Sequence, residues 1–261
     1  MIRPKTTMPM NAKTSDFLAD YAATLLGCGA TCIRIEKNLK RLAAGCGVTA
    51  QVQIMPAHVT LSVSDGSGHS RVISRPMARG GINFDVNARL SRLSWAVADG
   101  HLSADEAIER FQAITSEAGR SSQWRELLLA SVANTAFCRL FGGDPASMLL
   151  VFAATLVGYR IKQAMIARGR DVRLAFLAAS FFSASISAAG HVFHLGGTPE
   201  IAVGTSVLYL IPGVPYINAV SDLIDRHYLC AFGRFTDACV LTACLSAGLC
   251  AGMYLLGLYD L

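Results

Sequence analysis

The chain lacks the short motifs that mark the commonest catalytic sites. It contains no GxSxG nucleophile turn, no HExxH zinc helix, no GxxxxGK[ST] phosphate loop and no GxGxxG dinucleotide loop. None of its eight cysteines forms a CxxC pair, which is a common spacing of zinc ligands. These absences argue against an enzyme that uses a metal or a nucleotide, and we expect neither a metal site nor a cofactor.

An apolar leader is also missing from the first residues. Residues 1–15 are polar and include Pro4 and Pro9, with no apolar core of the length found in signal peptides. We predict a disordered polar tail over residues 1–15 and no secretory signal peptide.

Charge is absent from three long stretches in the second half of the chain. Residues 174–199, 201–221 and 238–259 contain no Asp, Glu, Lys or Arg, and each reaches the roughly 20 residues needed to cross a bilayer. Two further apolar stretches precede them. The sequence therefore predicts a transmembrane domain over residues 121–261 with five helices at about 124–143, 144–161, 174–195, 201–221 and 236–259.

Lys and Arg are missing from alternate loops between these helices. The loops 142–145 and 194–200 contain neither residue, whereas the two other loops are basic, with Arg160, Lys162, Arg168, Arg170 and Arg173 in one and Arg226 and Arg234 in the other. Short basic loops stay in the cytoplasm. The pattern predicts an N-terminal half in the cytoplasm and a C-terminus outside; four helices would place the C-terminus inside. The net charge of +5 reflects these loops, and no basic cluster interleaved with aromatic residues predicts nucleic-acid binding.

The first half of the chain has the pattern of a small mixed domain. Helical periodicity over residues 16–27 and 31–44 is followed by three β-rich segments at 51–55, 58–64 and 69–75, the last two separated by the turn sequence DGSG. Further helical patterns cover residues 82–98 and the region after Ser103, where Glu106 completes a capping box. We predict a cytoplasmic α+β domain over residues 16–120 that precedes the membrane helices.

The fourth predicted membrane helix is interrupted by Pro212, Gly213 and Pro215. Because prolines have no N–H group, the carbonyls near Leu208 and Ile211 are expected to lose their helical donors, and a second half-helix is expected to begin near Tyr216. Broken helices persist in a bilayer where they are buried or face water, and transporters hold substrates there. The alternative is a proline kink that only shapes packing.

Polar residues follow this interruption. Asn218 either lines a transport path or bonds across to another helix. Asp222 either carries a coupling proton or caps the inner end of the helix and pairs with Arg226 or Arg234. A carboxylate substrate would also need a cation, and the candidates are Arg139, Arg160 and Arg234.

Small residues recur in the third and fifth predicted membrane helices. The third helix holds several serines among alanines, and the fifth holds Gly248 and Gly252 beside alanines at matching spacing. Small residues spaced in this way allow helices to approach closely. We interpret both stretches first as packing surfaces.

Three segments together resemble a known family. They are GATCIRIE at 29–36, RGGIN at 79–83 and PGVPYINA at 212–219. With the five predicted helices they resemble the threonine/serine exporter family, ThrE, and most of all its YjjP-type larger subunit, from about residue 17 to the end. The resemblance implies a bacterial inner-membrane exporter of threonine and serine or of a dicarboxylate such as succinate, driven by protons. It also implies a smaller partner subunit with about four membrane spans; without that partner the chain would need to form a homo-oligomer.

The resemblance also assigns residues. The matching positions are Gly29, Ala30, Arg34, Glu36, Asn83, Pro212, Gly213, Pro215, Asn218, Ala219, Asp222 and Arg234. It implies a transport path along Pro212, Gly213, Pro215, Asn218 and Asp222. Independently of the resemblance, Arg34, Glu36, Arg79 and Asn83 are candidates for gating access or gathering substrate at the inner mouth. Arg34 and Glu36 are two positions apart, so on a helix they cannot pair with each other and each needs another partner; the alternative is a structural ion pair that holds the first helices to the hairpin. Arg226 and Ala231 depart from the pattern, since relatives are expected to have glycine there.

Two other functional classes compete with a transporter subunit. One is a membrane-anchored enzyme with a hydrolase-like cytoplasmic domain, and the other is a membrane sensor or scaffold. An interrupted helix is more than attachment to a bilayer requires, so the sequence favours the transporter.

Overall fold

The chain forms two compact units, and one of them is built from separate parts of the sequence. The computed structural model describes residues 12–78, 80–117 and 122–257. The first unit comprises Met1–Arg120 and Val214–Phe235, and the second comprises Ser121–Gly213 and Thr236–Leu261. The units divide the chain after residue 120, and the predicted domains 16–120 and 121–261 remain predictions. The return of Val214–Phe235 to the first unit was not predicted.

The first unit contains a three-stranded sheet and six helices or parts of helices. Its elements in chain order are α1 (Ala12–Gly27), α2 (Cys32–Gly45), β1 (Thr49–Met55), β2 (His58–Ser64), β3 (Ser70–Pro76), α3 (Phe84–Ala98), α4 (Ala104–Glu117), α9 (Gly213–Ile224) and the first turns of α10 (Tyr228–Leu255). The predicted helices and strands of the N-terminal half are all present. Helix α1 begins before the predicted start at residue 16. Its first turn is held by tertiary contacts, because Ser15 is buried and Arg71 donates to the carbonyl of Ala12 at 3.1 Å.

The sheet is an antiparallel meander in the order β1-β2-β3. Leu61 at its centre pairs with Val52 on one side and Ile73 on the other. Alternation along β2 buries Val59, Leu61 and Val63 on one face, as expected for a sheet with one covered face. The turn between β2 and β3 is held by Asp65, whose carboxylate accepts from the backbone N–H groups of Ser67 and His69.

The buried face of the sheet joins a core made by α1 to α4. Tyr21 of α1 is fully buried and donates its hydroxyl to the carbonyl of Leu90 at 2.9 Å. Burial raises the pKa of Tyr21 well above its ordinary range, so this phenol acts as a hydrogen-bond donor in the core. Phe17 meets Phe111 of α4 edge to face, with ring centroids 5.5 Å apart.

The predicted capping box at the start of α4 is confirmed. The carboxylate of Glu106 accepts from the Ser103 N–H at 2.8 Å, and the Ser103 hydroxyl oxygen accepts from the Glu106 N–H at 3.3 Å. The bond from the Ser103 N–H lowers the pKa of Glu106. Two orphan donors at the helix start are thereby satisfied by side chains.

The second unit is a helical bundle. Its elements are α5 (Gln123–Leu140), α6 (Pro145–Ala167), α7 (Val172–Val192), α8 (Pro199–Ser206), a short 3₁₀ turn (Leu208–Leu210) and the rest of α10. Among the described residues, α6, α7 and α10 are long and apolar enough to cross a membrane. The pair Pro199–Leu210 and Gly213–Ile224 makes a fourth candidate if it counts as one broken span.

Five membrane spans were predicted, and the structure supports three or four. Helix α5 is the first predicted span, and it is not among the candidates because it carries Arg125, Glu126 and Arg139 within its length. Exposed Leu129 and Leu140 nonetheless give it an apolar surface. A membrane crossing by α5 therefore remains a prediction.

The small residues of α10 pack against α7, the helix at the third predicted membrane span. A Cβ built at Gly248 of α10 would collide with the Ser180 hydroxyl and the Leu177 carbonyl of α7, and one at Gly252 would lie 2.7 Å from the Phe181 carbonyl. Only glycine allows this approach of the two backbones.

Candidate functional site

The interrupted helix breaks at the residues that the sequence indicated. Helix α8 ends at Ser206 and the 3₁₀ turn after it ends at Leu210. Ile211 is extended, and α9 begins at Gly213. The two helical parts are bent by 58°. Pro212 explains the break, because proline disfavours the helical conformation of the residue before it and supplies no N–H.

The second half-helix begins earlier than the prediction near Tyr216. Helix α9 already includes Gly213 and Val214, so Pro215 lies inside its first turn. A missing N–H has no helical partner to lose in that turn. The two prolines therefore have different roles: Pro212 makes the break, and Pro215 is compatible with the helix that follows.

The carbonyls around the break were expected to lose their donors, and the structure corrects this. The Leu208 carbonyl accepts from the Ile211 N–H at 3.1 Å, and the Ile211 carbonyl accepts from the Gly213 N–H at 2.8 Å. The backbone forms tight turns at the break, so both carbonyl oxygens keep a hydrogen-bond donor. Each carbonyl keeps one further lone pair for a ligand.

Helix α9 ends in a tight corner before α10. The N–H of Arg226 bonds to the Leu223 carbonyl, and the N–H of His227 bonds to the Asp222 carbonyl, which is the Schellman pattern of helix ends. Arg226 has φ of 64°, in the left-handed region that favours glycine. This explains why glycine was expected at this position in relatives.

Two side chains of the α9–α10 hairpin bind the turn between α1 and α2. Asn218 donates to the Gly29 carbonyl at 2.8 Å, and Arg234 donates to the Ala30 carbonyl at 2.7 Å. Gly29 has φ of +81°, and a Cβ at this position would lie 3.0 Å from the Ile82 side chain. Glycine is therefore required for the turn that presents these carbonyls.

Asp222 completes this set by capping α2. Its Oδ1 accepts from the Cys32 backbone N–H at 2.8 Å, and its Oδ2 lies 3.3 Å from Nη1 of Arg234. The Asp222 side chain is fully buried. Thr31, which precedes α2, makes no capping bond with its side chain, so the carboxylate of α9 satisfies an orphan donor at the positive end of α2.

We call Asn218, Asp222 and Arg234 the turn-binding residues. All three matched the family pattern, and so did Gly29 and Ala30, which Asn218 and Arg234 contact. The structure thus brings together two sequence segments that lie 190 positions apart between Cys32 and Asp222. Sequence reasoning assigned the three residues to a transport path or to charge pairing, and it did not anticipate their contact with the α1–α2 turn and the start of α2.

Arg34 and Glu36 have separate partners, as their spacing predicted. Arg34 donates to Oδ1 of Asn87 in α3 at 3.4 Å, whereas Glu36 lies 3.6 Å from the His227 ring. Glu36 therefore adds a fourth contact between the α9–α10 segment and α2 with its preceding turn. The candidate role of both residues in gating remains a proposal.

Of the two remaining candidates in the N-terminal half, Asn83 has a local structural role. Asn83 caps α3, since its side chain accepts from the Val86 N–H at 3.1 Å, and its own N–H bonds to the Cys28 carbonyl. This contact fixes the entry to α3 beside the α1–α2 turn. Arg79 lies outside the described residues.

The three proposed charge partners belong to two different units. Arg234 pairs with Asp222 in the first unit. Arg139 and Arg160 belong to the second unit, where Arg139 donates to the Gly143 carbonyl at 3.3 Å and Arg160 lies 5.4 Å from the centre of the Trp124 ring. Of these three arginines, Arg234 alone is in contact with Asp222.

Sequence reasoning missed a contact between α10 and the sheet. The Cys230 thiol donates to the Ile54 carbonyl, and a Cβ at Gly233 would lie 2.9 Å from Pro56 in the β1–β2 turn. The hydrogen bond with Cys230, together with burial, raises the pKa of the Cys32 thiol above its ordinary range. Gly233, a glycine within the first turns of a long apolar helix, is the sequence signal that could have indicated this contact.

No group of three or more His, Cys, Asp or Glu side chains suited to a metal ion occurs in the part of the chain that the structure describes. The site therefore consists of a helix break followed by a buried ion pair and an amide. Such an arrangement offers polar groups within an apolar chain segment, which suits binding and conformational coupling.

Comparison with known families identifies the protein class. A family model described as "Putative threonine/serine exporter" matches residues 16–256. The chain belongs to the threonine/serine exporter family. The ThrE match spans both units, including the α1–α2 turn, the helix break and the turn-binding residues.

Two curated relatives of this ThrE chain are subunits by name. The "Probable succinate transporter subunit YjjP" of Klebsiella aerogenes is 26% identical over 240 residues, which are 91% of this chain and 92% of the relative. The protein of the same name from Escherichia coli K12 is 26% identical over 238 residues, 90% of this chain and 91% of the relative. No solved structure matches the chain significantly. Family membership and the apolar helices together indicate a membrane transporter.

Proposed function

We propose that this protein is one subunit of an exporter in the bacterial inner membrane, with a proton gradient as driving force. Its substrates are small carboxylate-bearing metabolites, either threonine and serine or a dicarboxylate such as succinate. The proposal follows the family's description and the relatives' names. The N-terminal half lies in the cytoplasm and the C-terminus outside.

One observation carries the proposal: the helix break at Pro212 is followed directly by a half-helix tied to the α1–α2 turn. The N-terminal end of α9 is the positive end of its helix dipole, which attracts a carboxylate. Four residues of α9, its corner and α10 contact α2 or the preceding turn. A shift of α9 on substrate binding would therefore act on the N-terminal unit through direct hydrogen bonds.

A partner subunit belongs to the proposal. The curated relatives are named as subunits, and three or four membrane spans are few for a sealed pathway. We propose a smaller membrane protein with about four spans as the partner; the alternative is a homo-oligomer of this chain.

The direct test measures efflux from cells that express this chain together with the small partner. Labelled succinate, threonine and serine are loaded in parallel, and release is followed with and without a pH gradient. We expect faster release of at least one of them, dependent on the gradient, and no stimulation by either subunit alone. Unchanged efflux of all three substrates would reject the proposed function, whereas full activity of this chain alone would replace the partner with a homo-oligomer.

A further inference from the structure

A basic pocket lies between α2 and α3 in the first unit. It has a volume of about 600 Å³, and its lining includes Arg34, Lys37 and Arg41 of α2 with Arg92 and Trp95 of α3. The size falls within the range typical of small-molecule sites. The turn-binding residues are not part of this lining.

The positive charge of this pocket is uncompensated. None of its four cations has an ion-pair partner within the described ranges, whereas other arginines of the same unit, such as Arg75, Arg89 and Arg234, each contact a carboxylate. Cations gathered in a concave surface raise the local concentration of anions. The pocket therefore has the electrostatic character of an anion site.

Neutral groups hold one guanidinium in place. Arg41 donates to Oδ1 of Asn38 and to the Ser94 hydroxyl, each at 3.0 Å, and it lies over the Trp95 ring at 3.6 Å. These contacts fix its orientation without neutralising its charge. Asn38 is itself 3% exposed, and its Nδ2 has no hydrogen-bond partner among the described atoms.

We propose that this pocket binds a small dicarboxylate, so that the N-terminal unit senses the substrate class at a site separate from the helix break. This assignment rests on the proposed export function. Guanidinium groups bind carboxylates through two parallel hydrogen bonds, and several cations suit two carboxylates better than one. A zwitterionic amino acid would place its ammonium group among like charges, so the pocket discriminates against serine and threonine.

The test uses the full chain in detergent and the fluorescence of Trp95. The chain has two tryptophans, and Trp124→Phe leaves Trp95 as the single reporter beside Arg41. Succinate, butyrate, inorganic phosphate and serine are titrated at constant ionic strength. Lys37→Gln and Arg92→Gln each remove one cation of the pocket, and Lys40→Gln is the matched control because it removes an exposed charge from α2 outside the lining.

We expect succinate to change the Trp95 emission in a saturable way. Each pocket variant should raise the half-saturating concentration about tenfold, as the loss of one charge-assisted hydrogen bond implies, and Lys40→Gln should leave it unchanged. Equal responses to butyrate, tighter binding of phosphate, or no effect of the pocket variants would overturn the assignment. If succinate is exported but does not bind in a saturable way, the pocket assignment is rejected and the export function stands. If succinate binds in a saturable way but no substrate is exported, the pocket assignment stands and the export function is rejected.

Discussion

At the scale of single residues, Asp222 is a buried charge that depends on its partners for compensation. Its carboxylate is buried, caps α2 and pairs with Arg234. Removing one partner of a buried ion pair leaves the other charge without compensation, which costs more than the pair itself contributes. Stability and any proton role of Asp222 must therefore be separated by experiment.

The first prediction concerns Asp222→Asn. We expect the free energy of unfolding to fall by about 3 kcal/mol or more, because Arg234 then lacks its counter-charge. Thermal unfolding of the purified chain measures the loss. Asp225→Asn is the matched control, since Asp225 is exposed and its replacement should change stability little.

A double variant distinguishes structure from proton coupling. Asp222→Asn with Arg234→Gln removes both charges and should recover part of the stability. If Asp222 carries the coupling proton, efflux in the double variant stays insensitive to the pH gradient. Recovery of the gradient response together with stability would contradict the proton role and leave Asp222 as a structural residue.

The second prediction concerns Arg226, a position where glycine was expected in relatives. Because its φ of 64° disfavours a side chain, Arg226→Gly should stabilise the chain by about 1 kcal/mol. Arg226→Ala removes the same charge without relieving the backbone, so it serves as the control. Equal stability of the two variants would show that the left-handed corner is not strained.

At the scale of elements, the two prolines of the broken helix have separate roles. Pro212 lies at the break itself, whereas Pro215 lies in the first turn of α9. The resemblance placed both on the transport path. The geometry assigns the bend of 58° to Pro212, because the extended Ile211 directly precedes it.

The third prediction follows from this difference. Pro212→Ala restores an N–H and frees Ile211 to become helical, so efflux per molecule of expressed protein should fall severalfold. Pro215→Ala should retain most of the activity. Full efflux with Pro212→Ala would support the alternative in which the kink only shapes packing.

At the scale of the whole molecule, the chain leaves and re-enters the first unit. It passes into the second unit after Arg120, returns at Val214 and leaves again after Phe235. The returning segment carries the three turn-binding residues. The broken helix therefore belongs in part to each unit, with its second half in the first unit.

The fourth prediction tests whether α5 crosses the membrane. Alkaline phosphatase or green fluorescent protein is fused after residue 170 and, separately, after residue 261. With five spans and a cytoplasmic N-terminal half, the first junction lies inside and the second outside, so phosphatase is active only at the second. If α5 stays out of the membrane while the N-terminal half remains inside, both junctions change sides, because one crossing fewer inverts everything that follows.

The sequence by itself determined the local structure of this protein. Proline chemistry placed the break at Pro212, the capping pair Ser103 and Glu106 placed the start of α4, and hydrophobic alternation placed the strands, because each signal acts within a few residues. Family motifs likewise identified Asn218, Asp222 and Arg234 as residues of interest.

Only the tertiary structure decided what those residues contact. The carbonyls of the α1–α2 turn and the first N–H of α2 need hydrogen-bond partners from elsewhere in the chain. Side chains of α9 and α10 supply them. No periodicity or spacing encodes a partner at such a distance along the chain. The reason is physical: buried polar groups must be paired, but the chain's folding, not its local pattern, selects which distant group completes each pair.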